Sequence, residues 1–231
     1  MAKASAVFFD VDFTLIHPGR RFQAEGYQAS CAQFGITVDC ARFEAAVAGA
    51  AHLLDSEDQL YEARLFVRYT AHIIELMGGA GPHVETVARE IYRDWAEHRH
   101  FELYEDVPEA LRALKAQGFR LGLISNSHRP LVSFQSHFEL DGLISVAVSS
   151  SEHGFMKPHP SIFRAALELM GVRPESAAMV GDSLPHDVAG AQQAGMRPIL
   201  LSRAGGLTPP APDVTVIQSL IDLPAVLDRD E

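Results

Sequence analysis

The apolar run "SAVFF" at residues 5–9 reads as a short buried strand, and it ends in two acids one residue apart, Asp10 and Asp12. Short apolar runs rich in Val and aromatics suit parallel strands covered on both faces. Such a strand needs partners, and the next stretch of chain has none to give it. From about residue 20 to 100 the sequence is rich in Ala, Arg, Glu and Gln, with almost no strand-like run. Its clearest helix lies in residues 58–79, with Leu65, Tyr69, Ile73 and Leu76 at helical spacing and Gly78 as a stop. A second helix, in residues 83–98, repeats the pattern through Val84, Val87, Ile91 and Trp95.

After residue 100 helix and strand patterns alternate. Helices are expected at 106–118, 129–138, 159–171 and 185–195, and strands at 120–125, 143–149, 176–181 and 196–202. This alternation predicts a parallel α/β sheet with right-handed crossovers. The isolated first strand cannot stand alone, so it joins that sheet and the helical block becomes an insertion. The expected architecture is a Rossmann-like parallel-sheet core from residues 1–17 and 101–231, with an inserted all-helical cap domain over 18–100. Residues 205–213, "GGLTPPAPD", form the most loop-like stretch.

Composition narrows the partners. Of 231 residues 47% are hydrophobic, enough for a packed core. The formal charge of -11 makes nucleic acid and anionic membrane poor partners. Asp10 cuts short any secretory apolar region, and no apolar run approaches the ~20 residues of a membrane helix. Cys31 and Cys40 show neither metal-site spacing nor a disulfide framework. These features lead to the expectation of a cytoplasmic protein; the sequence does not set its oligomeric state.

In open parallel sheets ligands bind beyond the carboxyl ends of the strands. Four polar clusters follow predicted strands: Asp10 and Asp12; Ser125 and Asn126; Lys157; and Asp182, Ser183 and Asp187. They should converge on one rim. Two carboxylates ~4 Å apart repel by about 4 kcal/mol at an effective dielectric near 20. Asp10, Asp12, Asp182 and Asp187 therefore call for a cation, and hard oxygen donors favour Mg²⁺. Lys157 adds a compact positive charge, and Ser125 and Asn126 add donors for an anionic oxygen. Only three lysines, Lys3, Lys115 and Lys157, stand against 16 arginines, which makes a lysine at this position less casual. Such a rim suits phosphate. One carboxylate can act as nucleophile and a second as general acid and then base.

In their order, "DVDFT" (10–14), "SN" (125–126), "KP" (157–158) and "GDSLPHD" (181–187) resemble the motifs of the haloacid dehalogenase-like hydrolases, and the helical insertion resembles that family's C1 caps. The resemblance implies a Mg²⁺-dependent phosphatase acting on a small phosphorylated metabolite through an aspartyl-phosphate. It implies Asp10 as nucleophile and Asp12 as general acid/base with its backbone carbonyl on the metal. Thr14 would support that loop. Ser125 and Asn126 would hold phosphoryl oxygens, and Lys157 would pair with Asp10 and the phosphate. Asp182 would bind Mg²⁺ directly, Asp187 directly or through water, with Ser183 behind them. The alternatives are a sugar-phosphate mutase or phosphotransferase using the same acids, and a catalytically silent binding module. Dehalogenases of the family lack the second acid, so Asp12 argues for phosphoryl chemistry. Residues 18–100 contain no lysine, which excludes a Schiff-base phosphonate mechanism in the cap. No G-x-x-x-x-G-K-[ST] appears, which disfavours a nucleotide-dependent kinase.

His17, His128, His159 and His186 lie beside the motifs and read as solvated loop residues. Arg20 and Arg21 read as a solvated helix start, and His98–His100 as a helix end. Phe13 stands where the family most often has Gly, at the expected junction of chemistry and cap.

Overall fold

The computed structural model describes residues 4–54, 58–205, 209 and 211–228. Lys3, and residues 206–208 and 210 of the expected loop, lie outside these. Along the chain, β1 (Ala6–Phe9) and β2 (Ile16–Pro18) precede four helices, α1 (Ala24–Ala32), α2 (Phe43–Ala50), α3 (Ala63–Leu76) and α4 (Val84–Asp94). Next come β3 (Phe101–Leu103), α5 (Val107–Ala116), β4 (Arg120–Ser125), α6 (Phe134–His137), β5 (Ile144–Ser149) and α7 (Ser150–His153). The chain closes with α8 (Pro160–Met170), β6 (Ala177–Gly181), α9 (Ala189–Gln193), β7 (Arg197–Leu201), β8 (Thr215–Ile217) and α10 (Leu223–Asp228). Contacts divide it into two compact units, Met1–His17 with Leu103–Glu231, and Pro18–Glu102.

The first unit holds a six-stranded parallel sheet in the order β5-β4-β1-β6-β7-β8. The isolated first strand therefore sits at the centre of the sheet, with Ala6 opposite both Arg120 and Ala177. Every residue of β1 is fully buried, as its unbroken apolar run requires. Ala6 and Phe8 join a core with Ile162, Phe163, Leu167 and Met170 of α8. Val7 and Phe9 alternate to the opposite face. The strand order reverses at β1, and at such a switch point the carboxyl ends of neighbouring strands leave a crevice.

The second unit holds the four helices α1 to α4. Its α3 buries Val67, Thr70, Ile73 and Ile74, and α4 buries Val84, Val87, Ala88 and Ile91. The α3 face differs from the expected Leu65–Tyr69–Ile73–Leu76 stripe. Ile73 is buried as expected, but Leu65 and Tyr69 are half-buried and Leu76 is exposed, while Val67, Thr70, Ile74 and Met77 are buried. α3 packs against both α2 and α4, so more than one of its faces is covered. Gly78 does stop the helix. It takes φ 94°, while the Gly79 N–H reaches back to Ile74 O at 2.9 Å, a Schellman closure. Arg21 is not solvated: its Nε donates to Asp94 Oδ2 at 2.6 Å, tying the start of the unit to the end of α4.

Candidate active site

β1 delivers Asp10 to the carboxyl edge of the sheet, and a tight turn follows. Leu15 and Ile16 N–H groups both return to Val11 O, and Phe13 N–H donates to Ile16 O at 2.6 Å. That turn puts Phe13 at φ 64°, in the left-handed region. The preference for Gly at this position thus has a backbone cause. Phe13 is 46% exposed, so its ring is not clamped inside the core.

Lys157 enters from the loop before α8 and is almost fully buried. Its Nζ donates to Asp10 Oδ1 and to Asp187 Oδ1, both at 2.6 Å. Burial alone would push its pKa down, but the two carboxylates outweigh burial and hold the ammonium above its usual range. Asp187 is set by the turn after β6. The N–H groups of Asp187 and Val188 both donate to Ser183 O, a π-type turn over Leu184–Val188, and Ser183 N–H donates to Asp187 Oδ2 at 3.1 Å. Gly181 makes room for this. A Cβ there would lie 2.2 Å from the Asp187 carboxyl carbon.

Asp10, Asp182 and Asp187 each offer an oxygen, all within 4.8 Å of one another. Thr14 donates its hydroxyl to Asp182 Oδ1 at 3.2 Å. Burial, with the charges of Asp187 and Asp182, pushes the Asp10 carboxyl well above the usual range despite Lys157. Asp182 is exposed overall, yet desolvation of its carboxyl and the charge of Asp187 push it up to about 6. Three converging carboxylate oxygens crowd like charge that a hard divalent ion would relieve, so the residues fit a cation of the Mg²⁺ class.

Asp12's carboxylate is not part of the converging group. Arg129 Nη1 donates to its Oδ2 at 3.1 Å and Nη2 to its Oδ1 at 3.0 Å. The Asn126 amide is engaged by the neighbouring Lys157 loop. It brackets the Lys157 backbone, donating to Lys157 O at 2.9 Å and accepting from Lys157 N at 2.6 Å. Ser125, fully buried, donates to Ser127 Oγ at 3.0 Å. Three of the histidines are engaged locally: the His17 ring lies tilted against Tyr104, His159 stacks on Phe155, and His186 hydrogen-bonds Ser183.

Two arginines escaped the sequence reading. Arg129 was hidden inside an expected helix, although a rim with four acids and one lysine calls for another cation. Arg203, just past β7, donates to Thr14 O at 2.8 Å and forks onto Asp106, bracing the turn that carries the acids. A cavity of about 880 Å³ is lined by helical-unit residues such as Arg68, Arg93 and Tyr92, and Asp10, Asp12, Asp182 and Asp187 are not among its lining.

The family model for haloacid dehalogenase-like hydrolases matches residues 4–195. Pyrophosphatase PpaX of Bacillus cereus is 37% identical over 115 residues, covering 48% of this chain and 53% of that protein. The chain thus spans about half the length of the curated relatives of that name. Haloacid dehalogenase-like hydrolase domain-containing protein 3 of Danio rerio is 29% identical over 97% of this chain and 96% of its own. A crystal structure described as a 2-haloacid dehalogenase from Pseudomonas syringae matches with 28% identity and a TM-score of 0.66, covering 98% of this chain and 99% of that one.

Proposed function

The chain belongs to the haloacid dehalogenase-like hydrolase family, and from that premise we propose that it is a Mg²⁺-dependent phosphatase of a small-molecule phosphomonoester, with Pro18–Glu102 as a C1-type cap. The observation that carries this reading is the rim itself. Asp10 is bridged by Lys157 to Asp187, Asp182 converges beside them, and a second acid, Asp12, stands two residues on.

In the proposed cycle an Asp10 oxygen attacks phosphorus as the bond to the leaving oxygen breaks, giving an aspartyl-phosphate. Asp12 gives a proton to the leaving oxygen. It then takes one from the water that attacks phosphorus, which releases phosphate and restores Asp10. Lys157 orients Asp10 and balances charge on the transferring group, and Asn126 fixes Lys157 through its backbone. Ser125 supplies a hydroxyl at the end of β4. Mg²⁺, held by Asp10, Asp182 and Asp187, would neutralise the equatorial phosphoryl charge.

The relative named a pyrophosphatase supports a phosphoryl substrate. The likeness to a structure described as a dehalogenase raises carbon–halogen hydrolysis as the rival. That chemistry has no leaving oxygen to protonate, so Asp12 favours phosphate. The test is a panel of phosphomonoesters, with 2-haloacids alongside, assayed with Mg²⁺ or EDTA on wild type and Asp10→Asn. Phosphate release that needs both Mg²⁺ and Asp10 is expected. Release that survives both Asp10→Asn and EDTA, or halide release alone, would sink the reading.

A further inference from the structure

Among the described residues, two cations pair with the rim acids, and the acids are divided between them. Lys157 serves Asp10 and Asp187, while Arg129 serves Asp12. Arg129 is 1% exposed and its side chain fully buried, an expensive place for a guanidinium. Both of its terminal nitrogens donate to the two Asp12 oxygens, near 3 Å each. A forked pair of this kind fixes the carboxylate plane as well as its place, because the guanidinium is rigid and planar.

The loop that carries Arg129 is itself held. Ser127 O accepts from the Ser151 N–H at 3.3 Å, and Ser125 donates to Ser127 Oγ. Asn126, three residues before Arg129, grips the Lys157 backbone from both sides. The fork therefore projects from a braced loop rather than a free one. Asp12 itself sits on the tight turn after β1, two residues past Asp10.

We infer that Arg129 is a positioning residue for Asp12: its fork sets the direction in which the Asp12 carboxylate addresses the leaving oxygen and the attacking water. The inference rests on the phosphatase reading. A purely structural ion pair between two loops would slow all substrates alike when broken. A positioning residue acts through Asp12, so its loss should fall on the substrates that need Asp12.

Phenyl phosphate and 4-nitrophenyl phosphate share a shape but differ in how much their leaving oxygen needs a proton. With Mg²⁺ present, Arg129→Gln should lower kcat on phenyl phosphate by on the order of 10²-fold, the scale of general-acid catalysis, and on 4-nitrophenyl phosphate by only about threefold. KM should change little on either. Arg129→Gln combined with Asp12→Asn should be no slower on phenyl phosphate than Asp12→Asn alone. Arg129→Lys keeps the charge but loses the fork, so it should retain most of the defect and serves as the readout where Arg129→Gln does not fold. Equal losses on both substrates, additive losses in the double variant, or full recovery in Arg129→Lys would overturn the inference. Turnover that survives Asp10→Asn in EDTA would instead remove the phosphatase reading, and this inference with it.

Discussion

Lys157 is the residue on which the rim turns. It is buried, yet it is charged, because the carboxylates of Asp10 and Asp187 both lie 2.6 Å from its Nζ. Replacing it by Met removes the cation and leaves two buried like charges facing each other. Breaking a buried pair in this way costs about 3–5 kcal/mol. The pH dependence has a definite sign. Without Lys157, the folded-state pKa of Asp10, already raised by burial, rises further. A carboxyl raised on folding gives its stability below the ordinary value of 3.8 and loses it as pH climbs through the folded value. Lys157→Met should therefore be close to wild type in urea melts at pH 4.5 and clearly weaker at pH 7.5, both without divalent cation. An equal deficit at the two pH values would show that the side chain contributes packing rather than charge.

At the scale of elements, the turn after β6 carries the most information per residue. Pro185 and the small residues behind it read as an ordinary helix over 185–195, but the chain first makes a π-type turn over Leu184–Val188. That turn swings Asp187 back over Gly181, where only a hydrogen fits. Gly181→Ala should push the Asp187 carboxyl aside and weaken divalent-cation binding at least tenfold, read as a smaller Mg²⁺-induced shift in Tm. A shift equal to wild type would place Asp187 outside the cation site. The core strands were legible in the sequence because buried parallel strands are near-continuous apolar runs, and β4 and β6 fall where the runs "RLGLIS" and "AAMVG" put them. β8, with three residues, is too short to show a period, and β2 and β3 share that fate. Three of the four polar clusters were legible because each directly follows a strand, whereas Lys157 comes after β5 only by way of the short α7. The Arg129–Asp12 pair was not, since the two residues are 117 positions apart and a lone arginine in a loop carries no periodic signal.

At the scale of the whole molecule, the rim explains how an acidic chain can tolerate still more acid at one point. Asp10, Asp12, Asp182 and Asp187 stand against Lys157 and Arg129, which leaves two formal negative charges if all are ionised. Protons relieve this at low pH, as the raised carboxyls of Asp10 and Asp182 indicate, the latter near 6. A divalent cation can take the place of those protons, so binding should release them. Raised carboxyls favour the folded state at low pH, and that contribution is lost as pH rises through about 6. Without metal, the rim's contribution to stability should fall between pH 5 and 7.5, and Mg²⁺ should restore it. The Mg²⁺-induced rise in Tm should accordingly be small at pH 5 and large at pH 7.5. Calorimetric titration in buffers of different ionisation enthalpy should show proton release at pH 6. Matched ionic strength in NaCl controls for screening of the -11 surface, which responds to any salt. A Tm shift that is the same at both pH values, or that NaCl reproduces, would mean that Mg²⁺ acts on the surface at large rather than on these three carboxylates.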